Sequence, residues 1–461
     1  MQRSVRTSLF RQSRIFYSMI ENRLVSSLRD LTAPVSLSDQ AVAAFLSIGF
    51  VPGDATLFEG ICCLPGGVDA ELSENGLSLK NAYRFSLDKE IQEASSAEKK
   101  SILTRRIRKA FESVCDERPP IVPLSGGLDS RTVLGFLLER YPAREIRTYT
   151  YGSRGMRDFE LGSEVAKQLG TTHEAIDLSQ VELRHDDLIE VALRSGANTD
   201  LFQPVVWLEV ERRFGNDGTI WSGYAGDGVG GSFKRLDESS NINDAVIRFI
   251  EFESRLLHYC KCVESCKELV RTDTKFDTVL NPLEAIWFEN HVERYTAHHI
   301  FMDGLSYVAP LMETDVVSGF TSLPVSMRSG KAFYNSVVVD LFPDLYEIPT
   351  SDYGYKFSRK GPRRFRDVSF WLKDRFRRAN YRLYPKLGHP AISYRDYRHG
   401  IRHKEDIRRV VRNLVARAGE LDMVDEARVW LLWKEHDQGR DRSPALTLIA
   451  SLGAIAESIG A

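Results

Sequence analysis

The residues that could do chemistry in this chain are concentrated in one run, Leu124-Ser125-Gly126-Gly127-Leu128-Asp129-Ser130, which follows an apolar strand and opens an amphipathic helix. Paired glycines let the backbone come close to an anion and adopt turns closed to other residues, while unpaired amides at the helix start point toward negative charge. Phosphate oxygens are the natural guest. Ser125 and Ser130 add hydroxyl donors, and Asp129 at the mouth of the turn is placed to hold a magnesium ion that bridges phosphates. A Walker A loop would require a Lys after its last Gly, and a hydrolase elbow would require G-x-S-x-G. Neither pattern is present in this segment, so Ser125 reads as a binding hydroxyl and not as a nucleophile. A plain strand-to-helix turn is the bland alternative, and it does not call for the complete SGGxDS set.

Such a turn needs elements to hold it, and the surrounding rhythm supplies them. Between 120 and 233 short apolar strands alternate with amphipathic helices, the pattern of parallel strands joined by crossover helices. IVPLS is followed by a helix at 129–140, which Pro142 ends; EIRTYTY leads to a helix at about 158–169 with Gly170 as its C-terminal cap. HEAIDL is a third strand, two helices follow, and TIWSG is a fourth strand. The prediction is an α/β fold with a doubly wound parallel sheet. Upstream, 41–68 reads as a helix, a Pro-Gly turn, a short strand and a second turn, and a helix runs from the polar stretch at 95–100 to about 115. After about 240 the chain reads as helical, with segments around 245–266, 282–302 and 407–418.

Composition bounds the function. Hydrophobic residues make up 43% of the 461, a folded globular profile. Lys plus Arg at 62 balance Asp plus Glu at 64, so the whole chain carries no electrostatic footprint for nucleic acid. No apolar run approaches the roughly 20 residues of a membrane span. The six cysteines are scattered in a chain large enough to do without disulfide staples, which points to the cytoplasm. Cys260, Cys262 and Cys266 form C-x-C-x3-C without a fourth ligand at zinc spacing, and are read as packing thiols. The first twenty residues, with Arg3, Arg6, Arg11 and Arg14 among serines, faintly resemble a transit peptide and are read as a solvated leader or the remnant of a lost domain. The basic stretch 356–412 reads as a solvated helical face, with grip on an anionic substrate as the alternative.

SGGLDS after a strand resembles the pyrophosphate loop of the N-type ATP pyrophosphatases, and the rest resembles the asparagine synthetase family. FLSIGFVPGDATLFEGICCLPGG is similar to that family's segment joining glutaminase and synthetase halves; DFELGSEVAKQLGTTHE is similar to its second helix and strand. TIWSGYAGDGVGG resembles its second Gly-rich acidic loop, and GLSYVAPLMETDVV with SLPVSMR its later Pro-Phe-Leu-Asp region, for a coverage of roughly 41–360. The resemblance implies a five-stranded sheet of the adenine nucleotide alpha hydrolase type, with a helical C-terminal region. It divides the chain into 1–100 as an N-terminal extension, the remnant or linker of a lost glutaminase domain, 101–240 as the ATP-binding core and 241–461 as the helical remainder with a basic C-terminal segment.

It also implies roles. Leu124, Ser125, Gly126, Gly127, Asp129 and Ser130 would wrap the pyrophosphate of ATP, and Asp129 with Asp227 would hold magnesium. Tyr151 and Gly152 would meet the adenine, Asp158 would lie close to the nucleotide, and Ser222 with Gly223 would line the other wall. Lys356 matches the lysine that stabilises charge on departing pyrophosphate, with Arg359 and Lys360 as neighbouring alternatives. The implied activity is an AMP-forming ligase that adenylates a small-molecule or peptide carboxylate and passes it to an amine. Alternatives are an intramolecular cyclase that makes lactams or macrocycles, and an ATP-binding partner protein with reduced catalysis.

The departures count as much. Gln2 stands where a glutamine-hydrolysing member has Cys, so the expected nitrogen source is free ammonia, a separate glutaminase or an amine substrate. Gly228 follows Asp227 where the family usually reads Asp-Glu, and Ser306 stands in place of a family Glu. Tyr307 is read as a packing aromatic in preference to a proton acceptor, and His173 as a structural histidine.

Overall fold

The computed structural model describes residues 4–232, 241–254, 263–350 and 395–460. The chain enters through six short strands: β1 (Ser4–Arg6), β2 (Phe16–Ser18), β3 (Arg23–Val25), β4 (Ile61–Cys63), β5 (Val68–Ser73) and β6 (Gly76–Asn81). They pair antiparallel into two small sheets, β1-β5-β6 and β3-β2-β4. The helix Asp39–Ile48 lies between β3 and β4, capped by Ser38 and ended by Gly49 in the left-handed region at φ 91°. This corrects the reading of the first twenty residues as a solvated leader: Phe10, Arg11 and Phe16 are buried. Arg11 tolerates burial because Asp54 lies 2.6 Å away and Glu293 3.6 Å away, so its charge is paired where water is excluded.

The helix Ser96–Glu112, opened by a capping box between Ser95 and Glu98, leads into the main sheet. Its strands are β7 (Pro120–Pro123), β8 (Arg147–Gly152), β9 (Thr172–Asp177), β10 (Thr219–Trp221) and β11 (Tyr307–Val308). All five are parallel, in the order β11-β10-β7-β8-β9. Side chains alternate along each strand, so neighbours face opposite layers. Ile121, Tyr149 and Ile220 enter one core with the helices His185–Arg194, Val206–Phe214 and the C-terminal Glu405–Gly419 and Ser443–Ser458. Val122 and Trp221 enter the other, with the helices Ser96–Glu112, Leu128–Leu138 and Ala332–Leu341. Helices thus cover both faces, as a doubly wound sheet requires.

The winding order locates the site. From β7 the chain steps outward to β8 and β9, then crosses back to place β10 on the other side of β7. The loops leaving β7 and β10 therefore diverge, and the crevice between them, at the carboxyl ends of the strands, is where open α/β sheets take ligands.

Candidate functional site

A cavity of about 500 Å³ opens at that crevice. From the β7 loop it is lined by Leu124, Ser125, Asp129 and Ser130, and from the β10 loop by Ser222, Gly223 and Asp227. Tyr151 from the end of β8 and Asp158 from the first turn of the helix Arg157–Leu169 complete the near side. Nine residues singled out in the sequence thus converge on one space, although the two loops lie some hundred residues apart. Gly126, Gly127 and Gly152 are not among the lining residues. The Gly127 amide donates to the Ser125 hydroxyl at 3.1 Å, and the Gly126 carbonyl accepts from Arg131 at 3.1 Å. Ser130 Oγ lies 3.0 Å from Ser125 Oγ and accepts from the Ser125 amide at 3.2 Å, so the two serines brace the turn. The helix Leu128–Leu138 begins at this turn, and its first amides have no carbonyl one turn earlier to bond.

Glycines bring the loops together. A Cβ on Gly223 would sit 2.8 Å from the Asp129 Cβ, and one on Gly226 would sit 2.8 Å from the Asp129 carboxyl carbon. Any side chain at either position would drive the β10 loop away from Asp129. Asp129 itself is oriented by Tyr334, whose hydroxyl donates to Oδ1 at 2.6 Å. Its other oxygen, Oδ2, lies 4.0 Å from Lys331 Nζ, and the same ammonium is ion-paired with Asp227. Among the described residues no group of three or more His, Cys, Asp or Glu is arranged to hold a metal. Two carboxylates fit a magnesium ion that takes its remaining oxygens from phosphate and water, the usual arrangement for that ion.

The far wall was not legible in the sequence. It is built by Trp287, Val292, Thr296 and Ile300. These lie on a continuous helical run that is α at Pro282–Trp287, π at Phe288–Thr296 and α again at Ala297–Ile300. In a π-helix the hydrogen bonds run i→i+5, so Trp287 and Val292, five apart, come onto one face. The α-periodicity that predicted one helix over 282–302 separates them. Gly228 lies under this wall, since a Cβ there would be 3.3 Å from the Trp287 ring, so the indole occupies the space where the resemblance led one to expect an acid.

Other residues singled out in the sequence have packing roles. Tyr307 lies edge-on to Trp207 and Phe301, accepts from the Met302 amide at 3.2 Å, and burial pushes its hydroxyl pKa well up. His173 is held by Thr148 at 3.0 Å and Ser163 at 3.3 Å, and burial pushes its pKa down. Cys266 is buried; Cys260 and Cys262 lie outside the described residues. So do Lys356, Arg359 and Lys360. In the described part of the basic stretch, Arg395 donates to the Val181 carbonyl, Arg402 to that of His436, and Arg408 pairs with Asp437 at 2.8 Å, so these cations hold neighbouring segments together.

One positioning residue had no signal in the sequence. Arg131 is fully buried and donates to the carbonyls of Leu345, Ile348 and Pro349 as well as to that of Gly126. It ties the β7 loop to the stretch 345–349.

Known proteins share parts of this arrangement. Residues 103–208 match the family model described as asparagine synthase. A stretch of 69 residues is 34% identical to 7-cyano-7-deazaguanine synthase of Staphylococcus aureus (strain bovine RF122 / ET3-1), which is 15% of this chain and 31% of that protein. The chain therefore spans about a third of the length of that curated relative. Among solved structures, the glutamine-dependent NAD+ synthetase of Acinetobacter baumannii in complex with ADP aligns over 42% of this chain and 43% of its own at 15% identity, with a TM-score of 0.19 that carries no structural weight. The SGGLDS loop lies about a quarter of the way into the segment 103–208, which is similar to asparagine synthase.

Proposed function

We propose that this protein is an ATP-dependent, AMP-forming carbon–nitrogen ligase that adenylates a carboxylate and transfers the acyl group to ammonia or an amine. The observation that carries this reading is the meeting of two loops over one cavity. The braced SGGLDS turn and the Asp227 loop close on each other through Gly223 and Gly226 at the switch point of the sheet. Ser125, Ser130 and the first amides of the helix Leu128–Leu138 would hold the pyrophosphate part of ATP, with Asp129 and Asp227 holding magnesium. That ion would offset charge on the phosphates. Tyr151, and the aromatic ring of Trp207 beside it, supply flat apolar surface for the adenine.

The acid would lie against Trp287, Val292, Thr296 and Ile300, a wall better matched to an acyl group with an apolar body than to aspartate. A cation on the phosphate side follows from the charge that builds on departing pyrophosphate. Lys356 remains our assignment for it on the resemblance alone. The unbridged thiols Cys62, Cys63 and Cys115 support placement in a reducing cytoplasm.

The test is product analysis. ATP and magnesium with a panel of apolar, aromatic and amino-acid carboxylates should yield AMP and pyrophosphate with at least one acid. Asp129→Asn should lower pyrophosphate release by about 100-fold or more. Release of ADP and phosphate would exclude the mechanism.

A further inference from the structure

Lys331 reaches the two carboxylates from a strained turn. Gly330 and Lys331, between the helices Val325–Arg328 and Ala332–Leu341, both have left-handed backbone, at φ 68° and 63°. A lysine gains nothing locally from that conformation, and it persists where surrounding contacts hold it, often at functional sites. Here the contacts are ionic. The ammonium is paired with Asp227, lies 4.0 Å from Asp129 Oδ2 and sits 5.2 Å from the Tyr334 ring centroid. Tyr334 occupies the other oxygen of Asp129. Only 11% of the Lys331 side chain is exposed, whereas Asp227 is 63% exposed toward the cavity. The head group of Lys331 therefore stands where the proposed divalent ion would stand.

We propose that Lys331 is the resident counter-ion of the Asp129–Asp227 pair, and that it makes divalent-cation binding conditional on nucleotide. The inference rests on the assignment of these two carboxylates as the metal-binding pair. Two carboxylates and one ammonium leave a local charge of about −1, half of what the carboxylates alone would present to a cation. For Asp129 and Asp227 to accept a divalent ion alone, the ammonium has to leave both anions and remain beside a double positive charge. When the nucleotide's phosphates are present, Lys331 can transfer to them, and the carboxylates are released without an unpaired buried charge. Metal and nucleotide then favour each other's binding, and the coupling is reciprocal. Lys331 acts in this as a positioning residue, distinct from the cation assigned to departing pyrophosphate.

The experiment measures Mn2+ binding to the full-length protein by electron paramagnetic resonance, with and without a non-hydrolysable ATP analogue. In the wild type the analogue should tighten Mn2+ binding by about tenfold or more. In Lys331→Met, Mn2+ without nucleotide should bind about tenfold tighter than in the wild type, and the analogue should add little. Circular dichroism shows whether the variant is folded, and Lys331→Gln provides a second neutral side chain if it is not. Equal Mn2+ affinity in wild type and both variants, with Asp129→Asn abolishing binding, would overturn the role of Lys331 and leave the metal pair standing. Binding that survives both Asp129→Asn and Asp227→Asn would overturn the assignment of the pair itself.

Discussion

Two lysines in this protein each stand between two carboxylates, and their surroundings give them opposite capacities. Lys275 lies between Glu289, 2.9 Å away, and Glu293, with all three side chains no more than 4% exposed. Lys331 lies between Asp129 and Asp227, with one carboxylate open to a cavity. The first cluster sits on the buried side of the π-helix and joins it to the N-terminal strands, because Glu293 also faces Arg11. No exchange of partners is open to it, since any new partner would have to enter a dry core. The second is proposed to trade its ammonium for another cation, since Asp227 is 63% exposed at the cavity. The same three charges serve structure where they are sealed and can serve binding where one is exposed.

Lys275→Met should break the sealed cluster. It leaves Glu289 and Glu293 buried with only the 3.6 Å contacts to Arg271 and Arg11, and the expected loss is about 3–5 kcal/mol of unfolding free energy at pH 7, read by chemical denaturation. A loss near zero would mean that water already reaches this side of the π-helix and that the contrast with Lys331 is false.

The next effect is one of pH. Burial, and then the charge of Glu289, push the Glu293 carboxyl up to about 7 against the pull of Lys275 and Arg11. The folded protein therefore keeps a proton on Glu293 that the unfolded chain gives up near its ordinary value of 4.5. Stability from this group is fully present below that value and is lost as pH rises toward 7, with a slope of at most about 1.4 kcal/mol per pH unit. Glu293→Gln should flatten the stability profile between those values; an unchanged profile would show that Glu293 is ionised in the fold.

The smallest effect on stability belongs to the open cluster. Lys331→Met should change unfolding free energy by less than about 1 kcal/mol, because Asp227 remains solvated when its partner goes. Paired with the Mn2+ measurement, a small loss of stability with a large change in metal binding would sharpen the comparison. A loss as large as that of Lys275→Met would show that Lys331 is chiefly a structural residue.

What could be read ahead of the structure divides along similar lines. The β7 turn was legible because its components are contiguous: strand, glycines, hydroxyls and Asp129 fall between Pro120 and Ser130, and local rules act on them together. The helix 157–169 and its Gly170 cap were legible for the same reason, and Gly170 has the expected left-handed backbone at φ 73°. The β10 loop was found through resemblance, its short acidic motif being ambiguous alone. Lys331, Tyr334 and Arg131 gave no signal, since each acts on a partner about two hundred residues away. The wall formed by Trp287 and Val292 was hidden by a change of helical period that hydrophobic patterning does not report.

By itself the sequence determined the parallel α/β core, the glycine-rich strand-to-helix turn and the acid beside it, because periodicity, capping and turn chemistry act over a few residues. The tertiary structure alone decided that the Asp227 loop closes on Asp129, that a lysine bridges the two, and that a π-helical wall faces them. These contacts depend on where the winding of the sheet reverses and on which charges are left in reach of water, and neither is a property of any short stretch of chain.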